Sequence, residues 1–122
     1  MKERFMHVKG AKEKVCHIMS HYEGVSIRPH RFGGSEFNLG KREIGHIHGD
    51  YLVDIPFPMR IRNEIIDKGL AEPHHVLPES GWVSIFLRGE EDVENAINLL
   101  KKSYELAVEQ GKKRNSAVHS IH

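Results

Sequence analysis

Val93, Ala96, Ile97, Leu100, Tyr104 and Ala107 recur at three- and four-residue spacing near the end of the chain and draw one apolar stripe along a helix. Glu90, Glu91 and Asp92 stand in its first turn, where acidic side chains complement the helix dipole. Gly111 is the expected stop. A helix with one apolar side has to lay that side on a partner, and the segments before it read mostly as strands. The expected class is therefore α+β, with helices packed on a sheet.

The strands follow from alternation and turn residues. Val25-Ser26-Ile27-Arg28 and Glu36-Phe37-Asn38-Leu39 flank a turn from Pro29 to Ser35, and Gly40-Lys41-Arg42 turns the chain again. Glu43 to Phe57 reads as a hairpin around Gly49-Asp50, and Gly81 to Leu87 as a last strand. Two further helices are expected. One runs from Phe5 to Tyr22 with its secure part from Ala11, on the stripe Ala11, Val15, Ile18, Met19 and Tyr22. A short one starts near Pro58, buries Ile61, Ile65 and Ile66, and stops at Gly69. The expectation is one antiparallel sheet of about five or six strands, with the two longer helices on one face and the short helix between. Residues 1–111 form the expected domain, and 112–122 a mobile polar tail.

Composition excludes several classes. The 122 residues suit one domain, and no apolar run reaches membrane-spanning length, so a cytoplasmic protein is expected. Eighteen basic against seventeen acidic residues argue against a dedicated nucleic-acid binder. One cysteine, Cys16, rules out an internal disulfide and reads as a buried helix residue. Arg28, His30, Arg31, Lys41 and Arg42 could gather at one end of the sheet as an anion site, or simply keep its edge charged. His17 and His21, four apart on the first helix, read as exposed.

Ten histidines are the compositional oddity, and four fall in two special stretches. Gly45-His46-Ile47-His48-Gly49-Asp50 puts two imidazoles on one face of a strand, with Ile44 on the same face. Glu72-Pro73-His74-His75-Val76-Leu77-Pro78-Glu79-Ser80-Gly81-Trp82 is too rich in proline for a helix or a plain strand, and such a loop points to function. Hairpin register decides the place of Asp54. A two-residue turn at Gly49-Asp50 pairs His46 with Val53; a three-residue turn that includes Tyr51 pairs His46 with Asp54 on the histidine face. Both remain open at this level.

Those two stretches, with Asp54-Ile55-Pro56-Phe57-Pro58, resemble the small bacterial proteins and fungal domains of the luciferase family, over about Val25 to Leu106. The resemblance implies no catalytic residue. No flavin-phosphate motif is present, and the chain is far shorter than the roughly 250 residues of a (β/α)8 barrel. The last strand and helix are also similar to double-wing proteins of frataxin-like shape, which implies an antiparallel sheet with helices on one face.

Three readings compete for the histidines. The first is a divalent transition-metal site with His46, His48 and His74 as ligands, His75 as the alternative third, and Asp54 or Glu72 as a further ligand or orienting group. The second is a pocket for a small molecule, with an anionic one among the candidates. His46, His48, Asp54, His74, His75 and Trp82 line it, Phe86, Tyr51 and Phe57 add walls, and Arg28 or Arg60 supplies counter-charge. The third is a structural or interaction module without catalysis. Whether a reaction is catalysed, and the oligomeric state, are not legible in the sequence.

Overall fold

The computed structural model describes residues 6–30 and 33–121, with backbone alone for 115–121. Its order is α1 (Ala11–Ser20), β1 (Val25–Pro29), β2 (Ser35–Leu39), β3 (Arg42–His48), β4 (Leu52–Pro56), α2 (Met59–Asp67), β5 (Glu72–Pro73), β6 (Trp82–Phe86) and α3 (Glu90–Ile121). All six strands join one sheet in the order β1-β2-β3-β4-β6-β5, with every neighbouring pair antiparallel. The chain is the expected α+β domain. Phe5, where the first helix was expected to begin, and Arg31 of the basic cluster lie outside the described residues. No described helix is long and apolar enough to cross a membrane.

One sheet face carries the core. Ile47, Val53, Ile55, Val83 and Ile85 meet Ala11, Val15 and Met19 of α1, Ile61 and Ile65 of α2, and Val93, Ala96, Ile97 and Leu100 of α3. Burial of each such side chain contributes about 1.5–3 kcal/mol before the entropy of ordering it is set against that. Gly45 lets α3 approach, because a Cβ there would stand 2.7 Å from Leu100 Cδ2 and 2.9 Å from the Asp54 carbonyl oxygen. Two of the helices, α1 and α3, are secured at their N-termini by acids. Asp50, in the β3–β4 turn, accepts the Lys12 N–H at 2.8 Å and the Gly10 N–H at 3.3 Å. Asp92 reaches back to the N–H groups of Arg88 and Gly89.

Four expectations are corrected. Gly111 does not stop α3, which continues to Ile121; a stopping glycine takes a positive φ, and Gly111 does not. Glu72-Pro73 is a short strand after all, at the sheet edge, where strands tolerate proline. The basic cluster splits, since Arg28 lies opposite Glu36 while Arg42 lies opposite Leu39 near the other end of the ribbon.

Ile44 is the fourth correction. Phe37 pairs with Gly45 but Asn38 with Glu43, which makes Ile44 an extra residue in β3. This bulge turns Ile44 into the core, where it is fully buried, and away from the face of His46 and His48. It also brings Glu43 onto that face.

Candidate functional site

The face opposite the core carries a polar row with one residue from each strand. Arg28, Glu36, His46, Asp54, Ser84 and Glu72 stand side by side across the sheet. The three-residue turn at Gly49-Asp50-Tyr51 sets His46 opposite Asp54, and β6 sets Ser84 on Asp54's other side. Asp54 and Ser84 are fully buried and His46 nearly so.

Asp54 is the centre of the site. Its Oδ1 accepts the Ser84 hydroxyl at 2.7 Å. Its Oδ2 is met by four imidazole Nε2 atoms: His46 and His48 at 3.2 Å, His75 at 3.4 Å and His74 at 3.5 Å. The structure thus brings all four histidines, and Asp54, into one cluster. Burial alone would push the Asp54 carboxyl up, but hydrogen bonds from His46, His48 and Ser84 prevail and hold it well below the usual carboxylate range. The same balance acts on His46. Burial disfavours its charge, yet its bonds to Asp54 and Glu43 win and raise it to about 9.

Two ring tautomers follow from the partners. Glu43 Oε2 lies 2.6 Å from His46 Nδ1, and a carboxylate only accepts, so Nδ1 carries a proton. His74 Nδ1 is approached by the backbone N–H groups of Val76 at 3.1 Å and Leu77 at 3.0 Å. Backbone amides only donate, so Nδ1 of His74 is bare and its proton sits on Nε2. Burial, partly countered by Asp54, keeps the pKa of His74 below its ordinary value.

Over the cluster opens a cavity of about 390 Å³, within the range of small-molecule sites. Trp82 forms one wall, its ring centroid 5.2 Å from that of His46 and 6.1 Å from that of His74. Val76 and Leu77 form an apolar lip and are 68% and 52% exposed. Gly81 allows Trp82 to sit there, since a Cβ at Gly81 would run into the Phe57 carbonyl.

Several expected contributors stand elsewhere. Glu72 is exposed and faces Arg88 at 3.8 Å. Arg60 is exposed beside Glu64, and Phe57 lines a neighbouring cavity with Arg42 rather than this one. Tyr51 and Phe86 do not line it either. In their place come residues that sequence reasoning did not assign. His30 stacks on His46 at 4.2 Å between ring centroids, and Ser84 anchors the carboxylate. Glu43 orients His46. Strand parity is the signal that could have found Ser84, two residues from Trp82 and so on the same face; Glu43 gave no signal, because only the bulge brings it round.

The donor set is chemically suited to a cation. His46, His48 and Asp54 present three ligand atoms within 4.8 Å of one another, as do Asp54, His74 and His75. The family model described as Luciferase domain matches residues 41–103, which hold both histidine pairs, Asp54 and Trp82. No curated protein and no solved structure matches the chain. With half of its length matched, the site included, the chain belongs to the Luciferase domain family.

Proposed function

We propose that the protein binds a small molecule at a divalent transition-metal ion held by His46, His48 and Asp54. The observation that carries this reading is the convergence of four imidazole Nε2 atoms on one buried carboxylate oxygen. A carboxylate oxygen has lone pairs for about two good hydrogen bonds. Four rings crowded on it gain little from that oxygen alone, whereas a cation beside it uses their lone pairs and its charge together. Tetrahedral zinc with bonds of about 2.0–2.1 Å separates its ligand atoms by about 3.3 Å. The His46 and His48 separations of 3.2 Å from Asp54 Oδ2 suit that spacing.

Glu43 supports the same reading. By accepting a hydrogen bond from Nδ1–H of His46 it holds the proton there and leaves Nε2 as a lone-pair donor, the arrangement by which outer carboxylates orient metal-bound imidazoles. His74 leaves the ligand set, because its Nε2 carries a proton. His75, with its side chain 40% exposed, can fill the fourth position or yield it to a ligand. An ion with an open position supplies Lewis acidity toward a ligand oxygen or a bound water.

Elemental analysis of untagged, chelator-free protein, followed by zinc and nickel titration, tests this. Near-stoichiometric metal that vanishes in the His46→Ala, His48→Ala double variant is the expected result. Protein that arrives without metal and takes up neither zinc, nickel nor ferrous iron overturns it.

A second reading, an interaction module without a metal, has one observation in its favour. An imidazolium at His46, with its pKa near 9, satisfies Asp54 and Glu43 at once at neutral pH. It is the reading that survives a negative metal result.

A further inference from the structure

His74 occupies the wall of the pocket in a fixed orientation that a metal ligand would not need. Two backbone amides, from Val76 and Leu77, donate to its Nδ1 and turn Nε2–H inward. That proton is poorly used: Asp54 Oδ2 is 3.5 Å away, at the far limit of a hydrogen bond, and is closer to three other imidazoles. The same two residues whose amides lock the ring present their exposed side chains at the pocket lip. Trp82 stands on the other side, at 6.1 Å from the His74 ring. A donor N–H, an apolar lip and an indole wall therefore border one opening.

We infer that the pocket takes a small amphiphilic carboxylate or carbonyl compound, whose oxygen accepts the His74 Nε2–H while its apolar body lies between Trp82 and the Val76–Leu77 lip. This rests on the metal reading for the second contact of that oxygen, but the role given to His74 is separate: donor to the ligand, not ligand to the ion. A neutral imidazole held by backbone donors makes such a contact at no cost in reorganisation. An ammonium compound of the same shape has no acceptor for that N–H and is repelled by the bound ion.

The test uses the full chain loaded with zinc and titrated calorimetrically with phenylacetate, acetate and phenethylamine, in the wild type, His74→Phe and His74→Gln. Phenylacetate should bind about tenfold more tightly than acetate through the buried ring, and phenethylamine not at all. His74→Phe should keep its zinc affinity within about threefold of wild type while losing phenylacetate by tenfold or more. His74→Gln, which keeps an N–H near the Nε2 position, should recover part of that loss. Three results overturn the inference: zinc lost from His74→Phe as fully as from His48→Ala, phenylacetate bound equally by wild type and His74→Phe, or phenethylamine bound as well as phenylacetate. If His74→Phe does not fold, long-range proton–nitrogen NMR of the wild type decides the point. Phenylacetate must then shift a His74 resonance pair that has its proton on Nε2; a proton on Nδ1 overturns the inference. If the wild type takes up no metal, the proposed function fails first. The same titrations on the metal-free chain then stand alone, with His74-dependent phenylacetate binding in support and its absence against.

Discussion

The hydroxyl of Ser103, buried in α3, donates to the carbonyl of Ile44 at 2.8 Å. Ile44 is the extra residue of the β3 bulge, so a side chain on the core face holds the irregularity that shapes the opposite face. Through that bulge Glu43 reaches His46, and through Glu43 the His46 ring is oriented toward Asp54. Ser103→Ala leaves a buried carbonyl unsatisfied and should cost about 1–2 kcal/mol in urea unfolding. It should also weaken zinc binding, although Ser103 touches no donor. Unchanged zinc affinity in a destabilised Ser103→Ala protein would mean that the bulge does not govern the site.

Glu43→Gln separates orientation from packing. The amide oxygen still accepts from His46 Nδ1, but without charge, so the fold should survive while metal affinity drops about 10- to 100-fold. Competition with a chelating dye measures it. A drop equal to that of His48→Ala would promote Glu43 to a ligand, and no drop would remove it from the site.

In metal-free protein the pair His46–Asp54 should set the pH profile of stability. The raised pKa of His46 means that its contribution is complete below the unfolded value of about 6.5 and is lost as pH rises through about 9. The depressed pKa of Asp54 means that its contribution is complete above about 3.9 and is lost in acid. These are two sides of one interaction and count once. Stability of chelator-treated protein should therefore peak between about pH 4.5 and 6.5 and fall by roughly 3 kcal/mol toward pH 9.5. His46→Gln should flatten the alkaline limb; a limb of the same slope in that variant assigns it to another group.

Gly81→Ala tests the placing of Trp82. The added methyl meets the Phe57 carbonyl, a backbone atom that cannot swing aside, and the Phe57 N–H to Gly81 carbonyl bond of 3.0 Å lies at the same junction. A loss of at least about 2 kcal/mol is expected, with quenching of Trp82 fluorescence by ligand reduced. A variant as stable as the wild type would show that the strand start has room to spare.

Much of this protein was legible in its residues. The stripe from Val93 to Ala107 and the alternation from Val25 to Phe57 prescribe an α+β layer, because period 3.6 and period 2 each expose one apolar side that must be covered. The same alternation set His46 and His48 on one face. Three things waited for the tertiary structure. Asp54 joined the histidines only by the length of the β3–β4 turn, and a shift of one residue would have sent it to the core face. Glu43 joined through a bulge whose partner, Ser103, lies 59 residues further on in the chain, beyond the reach of local pattern. The proton of His74 is fixed on Nε2 because two amides of its own loop fold back onto Nδ1. Local periodicity decides which way a side chain points; which groups meet there, and with which proton, is decided by long-range register and by the partners that register supplies.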